Sequence, residues 1–123
     1  MKVVYLNVLE NKKAQVLDIV DELDEFYRLI KCSHIDIARR KIGENYYDII
    51  CDDDGLFVES PKISAINNLG EPMLVGNLII CDSEDGYEKS LTDEQVSEVL
   101  SCIQRMYTRK HPQGYYMITK CEY

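Results

Sequence analysis

The spacing of apolar residues switches between period two and period 3.6 along the chain, and these switches predict its elements. Lys2 to Leu9, with Val3, Val4, Tyr5 and Val8, reads as a strand. After the polar turn Glu10-Asn11-Lys12-Lys13 a second strand spans Gln15 to Val20, so a hairpin is expected. Leu23, Phe26, Tyr27 and Ile30 then fall at i, i+3, i+4 and i+7, which predicts a short amphipathic helix. Asp21 suits its N-cap, and Glu22, Asp24 and Glu25 put negative charge in the first turn, where the helix dipole favours it.

Strands are predicted again over His34 to Lys41 and Tyr46 to Cys51, with Gly43-Glu44-Asn45 as the turn between them. Asp52-Asp53-Asp54-Gly55 reads as a tight turn into a strand Leu56 to Glu59, which Ser60-Pro61 ends because proline has no amide for a central ladder. Lys62 to Pro72 reads as irregular, with one helical turn around Ala65. Met73 to Cys81 is the most apolar segment; Gly76-Asn77 interrupts it as a bulge or a close backbone approach, and Leu78 to Cys81 is expected to be a buried central strand. Thr92-Asp93-Glu94-Gln95 is a capping box opening a helix with the stripe Val96, Val99, Leu100, Ile103 and Tyr107. Arg105, Arg109 and Lys110 fit its C-terminal end, and Pro112 and Gly114 stop it before a last strand, Tyr115 to Cys121. No β-α-β alternation appears. The expected architecture is a single α+β domain over residues 1–123: a mostly antiparallel sheet of six or seven strands with two short helices packed on one face.

Composition narrows this little. With 123 residues, 46% apolar and 29% charged, the chain suits one folded core rather than disorder. Leu78-Ile79-Ile80-Cys81 is too short to cross a bilayer, and Met1 to Asn7 lacks the apolar run and cleavage site of a signal peptide. A cytoplasmic location without membrane contact is therefore expected. The net charge of −8 repels phosphate backbones, so direct nucleic-acid binding is not expected. That charge suits a partner with a basic surface, or serves solubility alone.

Candidate chemistry is sparse. Cys32, Cys51, Cys81, Cys102 and Cys121 are odd in number and widely spaced, without the C-x-x-C pairs that bring two thiolates onto one zinc, and read as small core hydrophobes. Of the two histidines, His34 stands two residues from Cys32, the only hint of a nucleophile with a base. Asp52, Asp53 and Asp54 lack the spacing of a calcium loop, as does the second acidic turn with Asp82, Glu84 and Asp85. At one end of a sheet the two turns would form a single negative patch, a candidate partner-binding surface. Arg39, Arg40 and Lys41 are a candidate anion site, though such residues also blunt a sheet edge. Tyr46-Tyr47 and Tyr115-Tyr116 must each send one ring to either sheet face. No phosphate-cradling glycine motif, catalytic constellation or cofactor site is found.

The N-terminal hairpin, the short helix, the Asp53-Asp54-Gly55-Leu56 turn, the interruption Val75-Gly76-Asn77, the acidic turn and the run Ser90 to Gln95 together resemble a small uncharacterised domain family of phages, plasmids and conjugative elements of Gram-positive bacteria. The similarity covers about residues 1–100, and its motifs are turns and caps, so no functional residues carry over. The resemblance implies an accessory protein of a mobile element. The function expected from it is non-enzymatic binding that inhibits a host nucleic-acid-handling defence protein, of anti-restriction or anti-CRISPR type. The alternative is a binder of a nucleotide signal through Arg39, Arg40 and Lys41. Homo-oligomerisation is left open.

Overall fold

The computed structural model describes residues 1–57 and 60–123. Among these described residues, eleven strands and two α-helices follow in the order β1 (Lys2–Leu6), β2 (Gln15–Asp18), α1 (Leu23–Ile30), β3 (Ile35–Ile42), β4 (Asn45–Asp52), β5 (Ile63–Ile66), β6 (Pro72–Val75), β7 (Leu78–Glu84), β8 (Tyr87–Lys89), α2 (Asp93–Ser101), β9 (Ile103–Met106), β10 (Tyr115–Ile118) and β11 (Cys121–Glu122). The large antiparallel sheet runs β11-β3-β4-β7-β1-β2, with β8 extending the far end of β7. A second sheet runs β6-β5-β10-β9, its β5–β10 pair parallel. The α+β class and the seven-stranded antiparallel sheet agree with the sequence reading. Leu78 to Cys81 is indeed central, paired with both β1 and β4 and fully buried.

Adjacent residues of a strand point to opposite faces, and both faces of the large sheet are covered. Val3, Tyr5, Ile50, Ile79 and Cys81 pack on Phe26, Leu29 and Ile30 of α1. Val4, Leu6, Ile49, Leu78 and Ile80 pack instead on Val99 of α2 and on Ala65, Met117 and Ile118 of the small sheet. The helices therefore lie on opposite faces, where the sequence suggested one. The small sheet shares this second face with α2. It was invisible locally because β5 falls in the polar-flanked stretch read as irregular, and its pairing with β10 joins residues far apart in the chain.

The second helix is shorter than its stripe. The capping box is formed: Thr92 Oγ1 accepts from the Gln95 amide at 3.2 Å, and Gln95 Oε1 accepts from the Thr92 amide at 2.8 Å. The helix ends at Ser101, however, and Ile103–Met106 pairs with Tyr115–Ile118 as a hairpin. The Thr119 amide and hydroxyl both donate to the Cys102 carbonyl, at 2.8 and 3.0 Å, and so secure that break. Tertiary pairing outweighs a helical period here. Arg105, Arg109 and Lys110 accordingly belong to β9 and its loop, not to a helix end.

Three smaller differences follow the same logic. The N-cap of α1 is Glu22, with no side-chain bond, rather than Asp21. β1 stops at Leu6 because Asn7 folds the chain back, its Oδ1 accepting from the Glu10 amide and its carbonyl from the Lys12 amide. Gly55–Phe57 forms a 3-10 turn instead of a strand, and Val58-Glu59, the rest of that expected strand, lies outside the described residues.

Glu98 ties α2 to the β3–β4 hairpin. Its carboxylate accepts from the buried Tyr47 hydroxyl at 2.6 Å, Asn45 Nδ2 at 2.8 Å and the Glu44 amide at 3.2 Å. Burial pushes this carboxyl up, but the three donors outweigh it and hold it below its ordinary value. Glu98→Ala is expected to lower the unfolding free energy by about 2 kcal/mol at neutral pH, measured by urea denaturation. A depressed carboxyl stabilises above its unfolded pKa and stops doing so as pH falls through the folded one, so the gap between wild type and variant narrows below pH 4.5. The thiols give a second test. Burial pushes Cys81 up to about 12 and Cys121 up to about 11, and both are fully covered. An alkylating reagent at pH 8 should label half-buried Cys32 first, and Cys81 and Cys121 only in denaturant. Fast labelling of either in the native protein contradicts the packing described.

Candidate functional site

The structure separates the two acidic turns. Ile50 of β4 is opposite Ile79 of β7, and Asp48 is opposite Cys81, so Asp52 continues past one end of the pair and Asp82 past the other. About five strand residues, roughly 17 Å, lie between them along the sheet. A single negative patch does not form. Asp82 is also committed, its Oδ2 accepting from Gln95 Nε2 at 2.9 Å and holding the start of α2. Glu84 pairs with Lys89 at 3.3 Å, and Asp85 shapes the β7–β8 turn at φ 52°.

The basic run is divided in the same way. Arg39 lies on the α1 face, bonded to Asp48 at 3.2 Å and Ser83 Oγ at 2.9 Å. Arg40 lies on the other, donating to the Arg39 carbonyl at 3.0 Å with its guanidinium 4.7 Å from the Tyr123 ring centre. Lys41 returns to the first face. Strand alternation thus keeps Arg39, Arg40 and Lys41 from converging on one anion.

Asp52 and Asp53, in contrast, enter a shared groove of roughly 340 Å³. It opens where the two sheets part, between the end of β3–β4 and edge strand β6, with Asp36, Leu56, Val75 and Tyr123 among its walls. Asp52 Oδ1 accepts from the Asp54 amide at 2.9 Å, an Asx turn that fixes the loop. Asp54 faces outward, its Oδ2 3.1 Å from His34 Nδ1. Gly55 presses the loop against β6 so closely that a Cβ there would stand 2.7 Å from Val75 Cγ2. The loop ends on Leu56 and Phe57, 74% and 86% exposed, beside Tyr123 at 79%. Exposed apolar rings and carboxylates therefore adjoin a strand that, among the described residues, has a partner on one side only. Of these residues the sequence pointed to Asp52 and Asp53. Asp36, β6 and Tyr123 reach the groove from distant parts of the chain, and no local pattern marks them.

The histidine hint has another outcome. His34 Nδ1 engages Asp54, while burial, and then Asp52, push the Cys32 thiol up, which is opposite to what a thiolate nucleophile needs. Among the described residues no three His, Cys, Asp or Glu side chains are grouped to hold a metal ion. No helix among them is long and apolar enough to cross a membrane. The tyrosine pairs divide as expected: Tyr47 is buried and Tyr46 exposed, Tyr115 buried and Tyr116 half-buried.

Comparison with known proteins gives a family but no activity. No curated protein and no solved structure matches the chain at a significant level. A family model described as a domain of unknown function, DUF3846, matches residues 1–106, that is, everything from β1 through β9. The match fits the expectation of an uncharacterised domain family, and the chain belongs to the DUF3846 family.

Proposed function

We propose that this chain is a non-enzymatic binding protein that holds a basic, apolar-studded segment of a partner protein in the groove beside β6. The observation that carries the reading is the meeting, at one place, of Asp36, Asp52 and Asp53 with exposed Leu56 and an edge strand. An extended segment laid along such an edge gains main-chain hydrogen bonds, while its alternate side chains meet the carboxylates and the apolar wall. Net charge of −8 favours approach of a cationic partner over long range. Proteins with strongly basic surfaces are typically those that handle nucleic acids. Together with the resemblance to accessory proteins of phages and plasmids, this supports an inhibitor of a host defence protein, of anti-restriction or anti-CRISPR type, acting in the bacterial cytoplasm.

The test is fluorescence anisotropy with a labelled peptide of alternating arginine and leucine. Asparagine at position 52 keeps the Asx bond to Asp54, so Asp52→Asn with Asp53→Asn removes charge without remaking the loop. This double variant should bind the peptide at least about tenfold more weakly, a loss of about 1.4 kcal/mol. Neutralising the opposite end with Glu84→Gln and Asp85→Asn should change affinity by no more than about twofold, because those charges are screened at that distance. Equal losses from the two pairs would reduce the effect to net charge, and no loss from either would refute the groove.

A further inference from the structure

An acidic protein with an uncommitted cluster of cations poses a question of its own. The β1–β2 turn and the β9–β10 loop meet around a second concavity of roughly 340 Å³, lined by Asn11, Arg105, Lys110, His111 and Gln113 among others and, among the described residues, by no carboxylate. Neither Arg105 nor Lys110 makes an ion pair among the described residues. Glu10, the acid nearest in sequence to this site, is turned away, held by Lys31 at 2.8 Å, Lys12 at 3.2 Å and Asn7 at 2.8 Å. Those partners pull its carboxyl down to about 2.

The walls are fixed. Arg105 Nε donates to the Gln113 carbonyl at 3.0 Å, and its guanidinium carbon lies 5.4 Å from the Tyr116 ring centre. Its two terminal amino groups have no partner among the described residues. The His111 ring packs edge-on against Tyr115 at 5.2 Å, and the Lys62 ammonium sits 4.4 Å over that same Tyr115 ring while also donating to Asn11 Oδ1. The loop itself is cross-braced: the His111 amide donates to Thr108 Oγ1 at 3.0 Å, and the Gly114 amide donates to the His111 carbonyl at 2.9 Å. Gly114, at φ 77°, fits where a Cβ would stand 2.8 Å from the Met106 carbonyl oxygen, so this turn of the loop requires glycine. A planar guanidinium held by its Nε, an ammonium and the side-chain amides of Asn11 and Gln113 line this braced hollow, the donor types that suit tetrahedral oxyanions.

We infer that this hollow binds a small phosphate-bearing ligand, with Arg105 gripping the phosphate oxygens and Lys110 neutralising their charge. Its volume suits one or two phosphate groups with little beyond them, at the lower limit of ordinary ligand pockets. The −8 charge of the chain opposes a long polyanion, whose backbone would leave the hollow and meet carboxylates. The site is distinct from Arg39, Arg40 and Lys41, and from the acidic groove.

The experiment follows backbone and arginine side-chain NMR signals of the full chain with four probes: inorganic phosphate, pyrophosphate, ATP and adenosine. Saturable shifts centred on Asn11, Arg105, Gln113 and Gly114 are expected with the three phosphates and not with adenosine. Pyrophosphate equal to ATP identifies the phosphates as the whole ligand, whereas a clear preference for ATP adds its nucleoside; either supports the site. Arg105→Gln and Lys110→Gln change exposed side chains, and each should weaken binding at least about tenfold; Lys110→Gln does so without touching the Arg105–Gln113 bond. Arg39→Gln should leave it unchanged. The inference is overturned if no phosphate gives site-specific shifts, if the shifts survive both substitutions together, or if a single-stranded oligonucleotide binds there more tightly than ATP.

Discussion

One buried amide holds the interior together. Asn77, fully enclosed between the two layers, donates through Nδ2 to the Leu29 carbonyl at 3.1 Å and to the Tyr5 hydroxyl at 3.3 Å. Its Oδ1 accepts from the Leu9 amide at 3.2 Å, and Tyr5 itself donates to Leu29 at 2.6 Å. Leu29 belongs to the last turn of α1, where carbonyls have no partner inside the helix. A buried carbonyl left unpaired is costly, so Asn77 and Tyr5 together decide where α1 stops and how it sits on β1 and β7. Gly76, at φ 77°, is the turn that delivers Asn77 to this place, and its amide donates to Lys62 across the second sheet.

From that junction the rest follows in layers. Register between β1 and β7 is fixed at the point where Asn77 enters, so Val3 and Tyr5 face α1 while Val4 and Leu6 face the small sheet. With both faces covered, few polar side chains remain inside; Asn77, which is buried, and Glu98, half-buried at the edge, use theirs for helix placement. Chemistry is left to the rims, where the sheets separate and loops from distant parts of the chain meet. Two such places are occupied by opposite charges, the aspartate groove beside β6 and the arginine–lysine hollow beside β9.

What the sequence revealed depended on how local each cause was. The capping box at Thr92, the hairpin turns and the central strand at Leu78 are set by residues within one or two turns of each other, and they were legible. The small sheet was not, because Ile63–Ile66 acquires its strand character only from Ile118 and Leu74 beside it. The long helical stripe misled for the same reason: Leu100 and Tyr107, counted as inward, are 37% and 67% exposed, and pairing with β10 took Ile103 out of the helix. Asp52 and Asp53 were found as acids in a turn, but their groove needs Asp36, Val75 and Tyr123. Arg105 and Lys110 fit a helix end in the sequence, and that local reading hides the hollow they line with His111. Val75-Gly76-Asn77, noted as an interruption, is the case where a short motif has a long-range cause.

Replacing Asn77 by leucine tests this account most directly, because leucine keeps the volume and removes every hydrogen bond. Equilibrium unfolding followed together with amide exchange should show a loss of about 2–3 kcal/mol, with the Leu9 amide and the end of α1 losing protection before the central strands. Unchanged stability, with Leu9 still protected, would show that the amide is incidental and that apolar packing alone sets the junction of α1, β1 and β7.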